Sequence, residues 1–92
     1  MKLLLINPNI SESVCALIRS EAERSASPGT ELEVLTAPFG VACIETRFES
    51  LLGAYAAAQL AAEHHRRFDA MVVAGFGDPG LGGLREALLR RA

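Results

Sequence analysis

Ninety-two residues suit one small domain, and a chain that is 50% hydrophobic and 22% charged excludes a disordered segment. A net charge of −2 with no evident basic face excludes nucleic acid as the expected partner. Two cysteines, Cys15 and Cys43, do not make a disulfide framework, so a reducing cytoplasm is the expected compartment.

The chain opens on Lys2 to Ile6, a continuous apolar run suited to the centre of a parallel sheet. The run stops at Asn7-Pro8-Asn9, which is turn chemistry. It is too short for a signal peptide's apolar region or a membrane span, so neither is expected. Ser11 is the natural cap of a first helix over Glu12 to Ala26, with Val14, Leu17, Ile18 and Ala22 as its buried stripe. Cys15 lies inside that helix as a small apolar filler. Ser27-Pro28-Gly29 ends it.

Glu31 to Thr36 alternates in polarity and reads as an edge or near-edge strand. A loop follows, carrying Val41-Ala42-Cys43-Ile44-Glu45, and Thr46-x-x-Glu49 reads as a capping box. Cys43 lies in the loop just before a helix start. In the second helix Phe48, Leu51, Leu52, Tyr55, Gln59 and Ala62 follow helical spacing, and the stripe is expected to be core. The alanines from Ala56 to Ala62 suit a helix lying close to a sheet. His64 and His65 are adjacent, hence on different faces; they read as a solvated helix end rather than a metal site.

Ala70 to Ala74 reads as a third strand, covered on both faces. Gly75-Phe76-Gly77-Asp78 turns the chain, Asp78 caps, and a last helix starts at Pro79 with Leu81, Leu84 and Leu88 on one face. The Gly75-x-Gly77-x-x-Gly80 spelling follows the third strand, not the first, so a dinucleotide fold is not favoured. Strands alternating with helices imply an α/β fold: a three-layer α/β/α arrangement on a short parallel sheet of three to four strands, order 2-1-3. Residues 1–92 form a single lobe. A sheet this short in so small a chain is marginal, so a partner or a continuation is expected.

Ligands of such sheets sit beyond the carboxyl ends of the strands. That position brings forward Asn7 and Asn9 after the first strand and Gly75, Phe76, Gly77 and Asp78 after the third. Each has a plainer reading as a turn or cap residue. No set of residues has metal-ligand spacing.

Gly75-Phe76-Gly77-Asp78-Pro79-Gly80-Leu81 resembles the Cys-Phe-Gly-Asp-Pro-Gly-Leu segment of the hydantoin and allantoin racemases, in the aspartate/glutamate racemase superfamily. Ile6-Asn7-Pro8-Asn9 is similar to that family's Asn-Pro-Asn opening, and Ile44-Glu45 to its Ser-Ile-Glu element. The resemblance implies one lobe of a two-lobe enzyme that racemises a hydantoin-like or amino-acid-like small molecule without a cofactor or metal. Racemisation next to a carbonyl needs one acid/base group on each face of the carbon, and thiols of lowered pKa serve. It also needs donors for the enolate-like charge, a role the resemblance gives to the amides of Phe76, Gly77 and Asp78, with Asn7 and Asn9 binding substrate. The departure is at Gly75, where the family has its first catalytic cysteine. A full-length member's second cysteine belongs to a second lobe that this chain does not contain, so the chain alone is expected to be inactive. Gly75 is open to three readings: an engineered trap, a natural pseudoenzyme, or a one-cysteine chemistry such as that of arylmalonate decarboxylase. A non-catalytic binding or assembly module is the alternative from another class. The expected partners are a small-molecule substrate and a second lobe or a second copy, not nucleic acid or a membrane. Cys43 matches neither family cysteine, so no catalytic role is assigned to it.

Overall fold

The computed structural model describes residues 1–75 and 80–89. Its elements run β1 (Lys2–Asn7), α1 (Glu12–Ser25), β2 (Glu31–Thr36), α2 (Arg47–His64), β3 (Ala70–Val73) and α3 (Leu81–Leu84). A 3-10 turn at His65–Arg67 follows α2, and a π turn at Arg85–Leu89 follows α3. The three strands are parallel in the order β2-β1-β3, as expected. Leu5 of β1 pairs with Val34 on one side and Val72 on the other.

Because side chains alternate along a strand, β1 feeds two cores. Leu4 and Ile6 join Val73, Ala57, Leu60, Ala61 and Leu84 under α2 and α3. Leu5 joins Val34 and Cys15 under α1. The result is the three-layer α/β/α arrangement, with β1 buried from Leu4 to Asn7.

The helix ends follow sequence chemistry. Ser11 caps α1 by accepting from the Val14 amide at 3.2 Å. At α2 the capping box is complete: Thr46 Oγ1 accepts from the Glu49 amide at 3.1 Å, and Glu49 Oε1 accepts from the Thr46 amide at 2.9 Å. Gly29, at φ +87°, makes the turn between α1 and β2, where a Cβ would strain the backbone.

Four expectations need correction. The stripe Phe48, Leu51, Tyr55 and Gln59 of α2 faces outward, with the first three 68%, 69% and 65% exposed. Ala62 is exposed with it and Leu52 is half-buried. The buried face is Gly53, Ala56, Ala57, Leu60 and Ala61. Both faces of this helix are apolar, so periodicity cannot choose between them. Closeness to the sheet does, and small residues allow it. In α1, Leu17 is 69% exposed and Cys15 takes the buried place, while Val14, Ile18 and Ala22 are half-buried. On β3, Met71 and Val73 face α2, but Val72 is 46% exposed, because α1 lies over β1 and β2 and leaves the far face of this edge strand open. His64 and His65 are half-buried rather than solvated; Nδ1 of His65 is 3.0 Å from the Ala61 carbonyl oxygen and Arg67 reaches Nδ1 of His64. In the last helix Leu84 is buried and Leu81 half-buried, and the expected start at Pro79 and the Leu88 side chain lie outside the described residues.

Candidate functional site

Every parallel strand delivers its carboxyl end to the same edge of the sheet, and this edge carries the candidate site. After β1 the backbone is folded by its own side chains. Asn7 Oδ1 accepts from the Asn9 amide at 3.3 Å, Asn9 Oδ1 accepts from the Ser11 amide at 2.9 Å, and Ser11 passes the chain into α1. This relay of side-chain-to-backbone bonds is what short amide side chains offer a turn. Asn7 is fully buried, and its Nδ2 donates to the Ser11 carbonyl at 3.2 Å. Both ends of that side chain are therefore spent on the loop. Asn9 is half-buried, and its Nδ2 has no hydrogen-bond partner among the described residues.

The loop after β2 closes over this turn. Ile10 donates to the Val41 carbonyl at 3.0 Å and Ala37 to the Asn7 carbonyl at 2.9 Å. From the other side α2 comes close enough that a Cβ on Gly53 would lie 3.3 Å from the Pro8 carbonyl oxygen and 2.7 Å from Ile44 Cδ1. A side chain there would push the end of Ile44 aside and ask the Pro8 carbonyl to give by a few tenths of an ångström.

Between these segments lies a cavity of about 650 Å³, lined by Pro8 and Asn9 of the first turn, Val14 and Ile18 of α1, Ala42, Cys43 and Ile44 of the loop, and Ala74 and Gly75 after β3. The structure thus brings Asn9, Cys43 and Gly75 to one cavity. Asn7 supports it from beneath without lining it. Phe76, Gly77 and Asp78 lie outside the described residues. Among the described residues no lining side chain is charged: the cavity offers an apolar floor, the free amide of Asn9 and the thiol of Cys43. Cys43 is exposed and Cys15 is buried. Among the described residues no group of His, Cys, Asp and Glu is arranged to hold a metal ion.

The loop amides that precede α2 need an acceptor. That work falls to Glu49, whose carboxylate accepts from the Glu45 amide at 2.8 Å as well as from Thr46. These backbone bonds, Glu45 first, hold the exposed Glu49 carboxyl below its ordinary value. Val14 and Ile18 read as core in the sequence and line the cavity in the structure. The signal was their place: the first turns of a helix that starts at the carboxyl end of the central strand face the crevice.

A second cavity of about 580 Å³ opens at the amino ends of the strands. Its charges are largely matched, with Lys2 3.9 Å from Glu31 and Arg67 3.4 Å from Glu33. No helix of the described residues is long and apolar enough to cross a membrane.

Comparison with known proteins places this geometry. The family model described as Asp/Glu/Hydantoin racemase matches residues 3–89. A hydantoin racemase from Paenarthrobacter aurescens is 33% identical over 88 residues, covering 94% of this chain and 37% of that protein. Among solved structures, allantoin racemase from Klebsiella pneumoniae superposes with a TM-score of 0.86 at 36% identity, covering 94% of this chain and 36% of its own. Allantoin racemase from Pseudomonas fluorescens gives 0.87 at 40% identity, covering 94% and 37%. The chain therefore spans little more than a third of the length of the relatives it matches. With the family match extending from β1 through α3, the chain belongs to the Asp/Glu/hydantoin racemase family.

Proposed function

We propose that this chain supplies the first lobe of a cofactor-independent racemase acting on a hydantoin-like or amino-acid-like small molecule. The observation that carries the reading is the shared cavity of Asn9 and Gly75 at the carboxyl edge of the sheet, where the family's Asn-Pro-Asn and Cys-Phe-Gly-Asp segments fall. A planar imide or carboxylate would meet the free Nδ2 of Asn9, and its carbon skeleton would lie on Val14, Ile18 and Ile44. The amides of Phe76, Gly77 and Asp78 would hold the charge that develops as the proton leaves the carbon.

Racemisation moves a proton off one face of the carbon and returns one to the other. Gly75 stands where the family has one of the two thiols, and glycine has no proton to exchange. The second acid/base group would come from a second lobe, which the coverage of about 37% of the relatives' length supports. The chain by itself is therefore inactive. A second reading, a lobe that binds or assembles without turnover, is favoured by the same glycine. One-sided proton transfer, of the decarboxylase kind, would instead need a thiol supplied by the second lobe.

The test is a titration of isotopically labelled chain with a 5-substituted hydantoin, followed by amide NMR. Shifts confined to Asn9, Val14, Ile18, Cys43, Ile44 and the segment from Ala74 to Asp78 are expected. Shifts at the amino-end cavity, or none at millimolar ligand, would reject the site. In parallel, Gly75→Cys in this chain should leave racemisation at the uncatalysed rate, because the opposite face still lacks its acid/base group. Rapid racemisation by that variant would sink the two-lobe mechanism.

A further inference from the structure

One wall of the carboxyl-edge cavity, Ala42-Cys43-Ile44, belongs to no helix or strand. Ala42 and Cys43 are exposed, Ile44 is half-buried, and the backbones of all three make no hydrogen bond among the described residues. The span is strung between two anchors. Behind it, the Val41 carbonyl accepts from the Ile10 amide at 3.0 Å, which ties the wall to the turn that presents Asn9. Ahead of it, Glu49 Oε1 accepts from the Glu45 amide at 2.8 Å and from the Thr46 amide at 2.9 Å. A capping box asks the carboxylate for only one of these bonds, the one to the cap residue Thr46. The bond to Glu45 reaches one residue further, into the loop. It is also the largest of the causes that hold the Glu49 carboxyl below its ordinary value. Four residues on, and so on the same side of α2, the bare backbone of Gly53 meets the end of the Ile44 side chain.

We propose that Glu49 is a positioning residue for this cavity: by taking the Glu45 amide as well as the Thr46 amide, its carboxylate fixes the span Ala42-Cys43-Ile44 relative to Asn9, without lining the cavity itself. The loop cannot supply this bond from within. The turn before α1 is folded by the side chains of Asn7 and Asn9, whereas Ala37 to Glu45 holds no asparagine or aspartate that could do the same. The acceptor therefore comes from the helix that follows. The consequence for a ligand rests on the reading that the cavity takes a small molecule. Two anchors leave a three-residue span few conformations, so its ordering is settled in folding and is not charged to binding. With the second anchor gone, the span is tied by Val41 and the Ile44 side chain alone and samples positions away from the cavity. Apparent affinity then falls by the fraction of time the wall is in place.

The experiment is amide NMR of the isotopically labelled chain, with and without 5-isopropylhydantoin. Glu49→Ala is expected to lower the heteronuclear NOE of Ala42, Cys43 and Ile44, which reports motion faster than nanoseconds. It should also raise the dissociation constant at least about fivefold, the wall then being in place no more than about a fifth of the time. Glu49→Asp keeps a charge in the first turn of α2 but is one methylene too short for the Glu45 amide, and should loosen the same three residues with the helix intact. Glu49→Gln presents a carbonyl oxygen at the same place and should restore both the NOEs and, to within about twofold, the affinity. Thr46→Ala removes the hydroxyl that caps α2 and leaves the carboxylate bonds, so it should lower stability toward urea while the wall keeps its NOEs. Parent-like NOEs at Ala42 to Ile44 in both Glu49→Ala and Glu49→Asp would overturn the proposal. So would a Thr46→Ala chain whose wall is as loose as that of Glu49→Ala, because the stability of the helix end, and not the carboxylate, would then hold the loop. The two readings fail separately: a parent chain that binds no hydantoin while Glu49→Ala still loosens the wall rejects the ligand and supports the positioning role.

Discussion

Replacing Asn7 separates a structural residue from a substrate ligand. Its side chain is fully buried and makes two hydrogen bonds, from the Asn9 amide and to the Ser11 carbonyl. The Ser11 carbonyl keeps a second donor in the Cys15 amide at 3.1 Å, so Asn7→Ala leaves it satisfied. The Asn9 amide loses its partner, at a cost of about 1–3 kcal/mol if water does not replace it. The vacated volume adds about 1 kcal/mol. Asn7→Ala should therefore lose about 2–4 kcal/mol of unfolding free energy. Asn7→Asp keeps the shape but turns an acceptor toward the Ser11 carbonyl and buries a carboxylate. Burial raises the pKa of that group above its unfolded value of about 3.9, so its penalty is absent below that value and grows as pH rises through the folded pKa. The assay is urea unfolding followed by circular dichroism at several pH values, since the chain has no tryptophan. Asn9→Ala, half-buried and giving up one accepted bond, is the control and should cost about 1 kcal/mol. If Asn7→Ala unfolds within about 0.5 kcal/mol of the parent while ligand binding disappears, Asn7 is a ligand group and the structural reasoning fails.

Gly80 sits at φ +78°, and a Cβ there would lie 3.2 Å from the backbone of Ala54, so Gly80→Ala should destabilise by about 2–3 kcal/mol in the same urea assay. Gly82 has open space and an ordinary φ, so Gly82→Ala should stabilise by about 0.5–1 kcal/mol; the reverse order would mean that α3 does not pack on α2 as described. Iodoacetamide should label Cys43 readily and Cys15 only on unfolding, as mass spectrometry of the peptides will read; equal rates would contradict the burial of Cys15. Glu49 is held below its ordinary value of 4.5 by backbone amides, so its contribution to α2 is present above that value and lost as pH falls through the lowered one. Glu49→Gln should flatten that acid-side dependence of helicity, and an unchanged pH profile would remove the capping box from the account.

Local chemistry settled much of this protein in advance. The order of elements, the parallel sheet in the order 2-1-3, the Ser11 cap and the Thr46/Glu49 box were all legible, because each depends on residues within a few positions of one another. The carboxyl edge as the place to look for a site also follows from strand direction alone. What the sequence left open were questions of distance between segments. A helix with alanines on one side and Phe48, Leu51 and Tyr55 on the other is apolar all round, and only its packing against β1 showed that the small side faces in. Asn7 and Asn9 are the same residue type two positions apart in one turn. Tertiary burial alone divided them, spending both ends of Asn7 on the loop and leaving the Nδ2 of Asn9 for the cavity. Gly53 offered no sequence signal beyond a glycine in a helix, yet it is where α2 meets Pro8 and Ile44. Side-chain type fixes what a residue can do, and the folded arrangement fixes which neighbour it does it to.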